Sequence, residues 1–318
     1  MKKTLIVLLL MVLTNVDSIA QQLPQFTQYM YNTIAVNPAY AGSRDALSII
    51  ALNRNQWAGF DGGPQTQTLS IHSPLSNQKV GLGLSLIKDD LGYEDFTSIY
   101  ADFSYTIEAS DKMEVSFGLK GGASHYKIDN DLFLLEGSTI GEIQELQDVL
   151  DDPYFNEKLN KWNMNVGAGV LFHTDKWYAG LSTPRLINHD KNSSKLYESL
   201  DRVHYYLIGG YVFDLSESTK FKPSFLVKHV KGAAISTDLT ANFLFNDKFW
   251  LGASYRINDQ QRALGAIADF QVSNQFRVGY AYEIATGEIR DYTSGSHEIL
   301  LIYEFKFLKN KQKSPRYF

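Results

Sequence analysis

The stretch Trp162-Asn-Met-Asn-Val-Gly-Ala-Gly-Val-Leu-Phe172 decides the fold. Trp162, Met164, Val166, Ala168, Val170 and Phe172 alternate with Asn163, Asn165, Gly167, Gly169 and Leu171. Successive side chains of an extended chain point to opposite faces, so this segment carries one apolar face and one small, polar face. An aromatic stands at each end of the apolar face, where the interfacial girdle of a membrane barrel sits. The pattern recurs in Ile235–Phe245, Phe249–Ile257, Phe276–Ile284 and Ile299–Phe307.

Fourteen such runs follow one another, at 45–57, 66–74, 79–88, 95–107, 112–126, 161–173, 176–183, 201–213, 219–229, 234–244, 247–257, 260–271, 274–284 and 296–307. Most have the length a tilted strand needs to cross a bilayer. An even count suits a closed bacterial barrel with both ends in the periplasm. The gaps test this independently. After even runs they are short: 75–78, 108–111, 174–175, 214–218, 245–246 and 272–273. The three long gaps, 127–160, 184–200 and 285–295, all follow odd runs. Short periplasmic turns and long surface loops have this parity. A soluble propeller or sandwich shares the alternation, but a sandwich needs apolar residues facing between its sheets. The sequence therefore predicts an all-β, antiparallel transmembrane β-barrel of about 14 strands over residues 45–307, in the outer membrane.

Composition agrees. The 318 residues include no cysteine, which excludes a disulfide scaffold, a thiolate metal site, a cysteine nucleophile and a lipoprotein anchor. Tyr 19 and Phe 19 stand against Trp 4. A net charge of -5 argues against a general nucleic-acid binder. Mean hydropathy of -0.22 argues against a helical membrane bundle, but not against a barrel that meets lipid with every second residue.

Residues 1–20 read as a signal peptide: Lys2 and Lys3, an apolar run Thr4–Thr14, then Ser18-Ile19-Ala20 before Gln21. Cleavage is expected between Ala20 and Gln21. Removing Lys2, Lys3 and Asp17 leaves 28 basic and 34 acidic residues, a net charge of -6. Residues 21–44 are polar and aromatic, unlike a strand. They are expected to fold back into the lumen as a plug or to dock on a periplasmic partner. Ser138–Leu150 places Ile140, Ile143, Leu146 and Leu150 at helical spacing in a loop. Residues 308–318 form a basic tail.

No catalytic motif is present, and no enzyme activity, cofactor or metal is expected. His297-Glu298 lies beside Ser294, Ser296 and Asp291, but neighbours on a strand face opposite ways and form no triad. Asp89-Asp90 and Asp129-Asn130-Asp131 are oxygen-rich, yet neither has calcium-loop spacing. His72, His125, His173, His204 and His229 are scattered singly and read as ordinary polar residues.

Three stretches resemble one family. The first is Gln22-Leu-Pro-Gln-Phe-Thr-Gln-Tyr-Met-Tyr-Asn32 with Asn37-Pro-Ala-Tyr-Ala-Gly42. The second is Arg54-Asn-Gln-Trp-Ala-Gly-Phe-Asp-Gly-Gly-Pro-Gln-Thr-Gln-Thr68 with His72-Ser-Pro-Leu75. The third is Tyr292-Thr-Ser-Gly-Ser-His-Glu-Ile-Leu-Leu-Ile-Tyr303. Together they are similar to the PorP/SprF outer-membrane proteins of the type IX secretion system of Bacteroidota. Leu23 stands where the family typically has an acidic residue. The resemblance implies a non-enzymatic barrel in the cell outer membrane. It implies binding or presenting a secreted protein's C-terminal domain, such as that of a gliding adhesin, at the cell surface. Implied partners are that cargo, other type IX secretion components, a peptidoglycan-binding periplasmic protein and outer-membrane lipid, with no nucleic acid. An outer-membrane channel for small or hydrophobic solutes is the alternative. Trp57, Phe60, Asp61 and Pro64 of the first outer loop, with Tyr29 and Tyr40 of the leading segment, are the expected partner-binding residues.

Overall fold

The computed structural model describes residues 24–76, 78–92, 94–128, 160–187, 202–230, 233–258 and 262–305. The signal peptide with its Ala20–Gln21 junction, the helix expected in 138–150, Asp129–Asp131 and the tail 308–318 lie outside them.

The described strands are β1 (Leu47–Asn55), β2 (Gln65–Pro74), β3 (Val80–Leu91), β4 (Glu94–Ser110), β5 (Met113–Ile128), β6 (Asn160–His173) and β7 (Trp177–Thr183). Then come β8 (His204–Tyr211), β9 (Thr219–Val230), β10 (Ser236–Phe245), β11 (Phe249–Ile257), β12 (Ala263–Gln271), β13 (Phe276–Ala285) and β14 (Ser296–Phe305). The ladder of β8 breaks at Val212 and resumes over Phe213–Asp214, still paired with β9. Each strand pairs antiparallel with the next, and β1 pairs with β14 from Leu47↔Phe305 to Asn55↔His297. The sheet is thus a closed 14-strand barrel with no free edge, which satisfies the backbone wherever no water can.

Differences from the expected spans have local causes. β1 is shorter than 45–57 because Asp45 (φ 50°) and Trp57 (φ 56°) adopt left-handed conformations at its two ends. β3 and β4 extend past residues 88 and 95 because the ladder continues through Asp89↔Phe96, Asp90↔Asp95 and Leu91↔Glu94. The long connections 129–159, 184–203 and 286–295 share one end of the barrel, and the short turns share the other.

The outer face carries large exposed apolar side chains, including Leu84, Phe117, Leu119, Met164, Leu207 and Leu301. At the short-turn end a chain of ring contacts runs Tyr211–Phe213–Phe221–Phe243–Phe245–Phe249, with centroids 4.4 to 6.5 Å apart. Phe276, Tyr303 and Phe305 extend this belt. At the long-loop end Trp162 stacks on His125 at 4.7 Å. These are the two girdles of a transmembrane barrel.

The lumenal face corrects one expectation. It is not simply small and polar: Ile50, Leu52, Leu171, Ile208, Leu226, Ile267, Leu300 and Ile302 point inward and are buried. The reason is what they touch. Fourteen strands enclose more space than side chains alone fill, since about eight strands is the size at which side chains fill the interior. Pro24–Arg44 occupies this interior. Phe26, Tyr29, Met30, Tyr31, Ile34, Ala39, Tyr40 and Ala41 form one buried cluster with the inward apolar residues.

Candidate functional site: the lumenal segment and the long-loop rim

The segment is built from three short 3₁₀ turns, Tyr29–Tyr31, Thr33–Ala35 and Pro38–Tyr40. The last starts with Asn37, whose Oδ1 accepts the Ala39 N–H at 3.0 Å, while Pro38 supplies a fixed φ at the first position. Tight turns need few residues and leave their polar backbone groups for the wall to satisfy.

At the long-loop end the wall answers with charge. One carboxylate, Glu298, accepts the Thr27 N–H at 2.9 Å and the Gln28 N–H at 2.7 Å. Arg54 donates to Thr27 Oγ1 at 2.9 Å and pairs with Glu283 at 2.9 Å and Glu298 at 3.4 Å. Arg256 links Glu283 at 3.1 Å to Asp238 at 2.5 Å. Five strands, β1, β10, β11, β13 and β14, contribute to this buried network. Each buried charge costs several kcal/mol in desolvation, offset only when its hydrogen-bonding capacity is met. Here the guanidiniums and the segment's own N–H groups meet most of it, with the Arg54 Nε left over.

Halfway along, contacts are mostly neutral. Asn32 donates to Thr68 Oγ1 at 3.0 Å, Asn37 to the Val170 carbonyl at 3.1 Å, and Ser182 to the Val36 carbonyl at 2.8 Å. Arg277 lies 5.3 Å from the Tyr31 ring centre.

At the short-turn end the fit is by shape. The Gly42 N–H donates to His72 Nδ1 at 3.1 Å, and the Tyr40 ring meets His72 edge-on with centroids 5.5 Å apart. Ser104 donates to the Ala41 carbonyl at 2.6 Å. Gly42 has φ +75°, and a Cβ there would lie 2.7 Å from Gly81 Cα. A Cβ on Gly81 would overlap the Ala41 carbonyl. Both glycines are therefore required by close approach of two backbones. Arg44 pairs with Glu304 at 3.0 Å beside the exit to β1.

Outside this core, residues 56–64 form a fastened loop on the rim. Gln56 N–H bonds the Pro64 carbonyl at 2.9 Å and closes it. Ala58 exchanges bonds with Gly295 (2.7 Å) and Ser294 (2.8 Å), and the Trp57 N–H donates to Ser296 Oγ at 3.2 Å. Trp57 and Phe60 meet edge-on with centroids 6.5 Å apart, and Phe60 is 44% exposed. Asp61 is exposed and Pro64 half-buried on the same loop. So the structure groups Trp57, Phe60, Asp61 and Pro64. Tyr29 and Tyr40 are elsewhere: both are buried in the lumen, at 4% and 3% exposure, and engage the barrel wall instead of an external surface. Ser296 faces the lumen and His297 faces out beside the Tyr280 hydroxyl at 2.7 Å, so the two do not meet.

The three motif stretches converge in space. Thr27 and Gln28, Arg54, and Glu298 meet at one level, and Tyr40–Gly42 meets His72 at another. The family model of the type IX secretion system membrane protein PorP/SprF matches residues 18–303. The chain belongs to the PorP/SprF family. No curated protein matches it. Among solved structures, the toluene transporter TbuX of Ralstonia pickettii is 10% identical, with a TM-score of 0.51 over 87% of this chain and 93% of that one. The outer membrane protein Omp33 of Acinetobacter baumannii is 10% identical, with a TM-score of 0.47 over 82% and 98%. At such identity the likeness to TbuX shows the fold alone. This PorP/SprF protein is thus an outer-membrane barrel and a membrane component of type IX secretion. Its long-loop end faces outward and its short turns face the periplasm.

The sequence reading missed the anchoring residues Arg54, Asp238, Arg256, Glu283 and Glu298. One signal was available: all five are charged residues at lumen-facing positions of the alternation.

Proposed function

We propose that this barrel works as a closed scaffold at the cell surface, binding or presenting the C-terminal domain of a secreted protein of the gliding-adhesin type, without enzyme chemistry. The observation that carries the reading is the filled lumen: Pro24–Arg44 is packed against the inner wall from end to end. A cylinder filled by its own chain has little room for solute, so work shifts to its rims. The outer rim offers the Trp57–Phe60 pair on a backbone-fastened loop, a rigid aromatic anchor of the kind that dominates protein interfaces. Asp61 and Pro64 complete the contact. Other type IX secretion components, among them a peptidoglycan-binding protein, would meet the periplasmic turns.

The test is affinity purification of the tagged chain from native membranes. One very large secreted protein should co-purify, and the double variant Trp57→Ala/Phe60→Ala should lose it while the barrel remains heat-modifiable on gels. Unchanged retention by the double variant contradicts the rim assignment. The competing reading is a channel for small or hydrophobic solutes, which predicts conductance or solute uptake independent of any cargo.

A further inference from the structure

The hydrogen bonds and the ion pair of the lumenal segment climb in depth along the chain, while the long side chains of Ile34 and Tyr31 reach back toward the short-turn end, to Gly83 and Arg277. Arg44 pairs with Glu304, the second-last residue of β14, at the short-turn end. Gly42 bonds His72, three residues from the short-turn end of β2. Asn37 bonds Val170, four from that end of β6. Asn32 then reaches Thr68 midway along β2. Thr27 and Gln28 reach Glu298, the third residue of β14 from the long-loop end. Gln25 donates to Ser236, the first residue of β10 at that same end, at 3.1 Å. Pro24 lines a pocket that reaches from Lys120, midway along β5, up to Tyr206, the third residue of β8 from its long-loop end, and Arg185, just past the long-loop end of β7. Pro24 and Gln25 are half-exposed, whereas Phe26–Asn32 are buried.

From this we infer that the chain ascends through the lumen from the periplasmic rim to the outer mouth, so that Pro24 and Gln25 are presented at the cell-surface end of the barrel. A barrel's first strand begins in the periplasm, where a leader docking on a periplasmic partner would remain. Here the leader crosses the whole membrane inside its own barrel. This conclusion rests on the contact order and on barrel orientation, and stands apart from the cargo reading.

The absence of cysteine makes the test clean, because a single introduced thiol has no background. Gln22→Cys is compared on intact cells with Tyr292→Cys, in the outer connection and 70% exposed, and with Glu217→Cys, in a short turn. A membrane-impermeant maleimide should label Gln22→Cys to the extent of Tyr292→Cys, and Glu217→Cys only after the outer membrane is permeabilised. Labelling of Gln22→Cys only after permeabilisation, or in neither state, overturns the inference. A protease site inserted between Leu23 and Pro24 gives a second readout: cleavage by protease added to intact cells supports surface display, and protection until lysis overturns it. Heat-modifiable mobility confirms that each variant is an assembled barrel before it is scored.

Discussion

The two ends of the lumenal segment are held by different physics. At the periplasmic end Tyr40–Gly42 is seated by shape, glycine against glycine, a ring against His72 and a carbonyl on Ser104, and the Arg44–Glu304 pair follows at the exit to β1. At the outer end Thr27 and Gln28 are seated by charge, through Glu298 and the Arg54–Glu283–Arg256–Asp238 network. Shape fixes register, because a one-residue shift puts a side chain where only glycine fits. Buried charge fixes orientation, because Glu298 and Arg54 together take the Thr27 and Gln28 groups presented at that level. Together they specify one threaded arrangement without any covalent link.

The comparison can be broken from either side. Arg54→Met should have the largest effect: it leaves Glu298 without its guanidinium and Glu283 with Arg256 alone, and removing one partner of a buried pair costs about 3–5 kcal/mol. Urea unfolding in lipid vesicles reads this, and Arg54→Met/Glu298→Gln should recover part of the loss. No recovery would mean that the pair contributes no charge coupling. Gly81→Ala comes next. One added methyl against the Ala41 carbonyl should cost about 1–3 kcal/mol as overpacking. A neutral result would show that the short-turn end is loose. Ser104→Ala should cost about 1 kcal/mol, the worth of one buried hydrogen bond. At the bottom of the scale, Trp57→Ala/Phe60→Ala should leave unfolding within about 0.5 kcal/mol, as surface changes do. It should remove cargo all the same, which separates rim recognition from lumenal anchoring.

Much of the wall was legible because lipid imposes period-two patterning on it. Leu239, Ala241, Phe243 and Phe245 face out and Asp238, Thr240, Asn242 and Leu244 face in, as their alternation requires. The alternation blurs where the lumen is apolar too. In β1 and β14, Ile50, Leu52, Leu300 and Ile302 pack on the segment, so both faces read as apolar. The hairpin tip 89–94 is polar, as a loop is, so alternation ends the strands there although the ladder runs on. The anchor itself was illegible for a topological reason. Arg54 and Glu298 are 244 positions apart and meet only because the first and last strands pair. The motif stretches Gln22–Asn32, Arg54–Thr68 and Tyr292–Tyr303 were visible as words, but their meeting in one place is a property of barrel closure.

The central claim is that the chain's own N-terminal segment closes its barrel. Planar-bilayer recording of the purified full-length protein tests it most directly. The account predicts insertion without discrete conductance steps for the unmodified chain, with steps appearing once Arg54→Met loosens the outer anchor. Stable open-channel steps from the unmodified protein would contradict it.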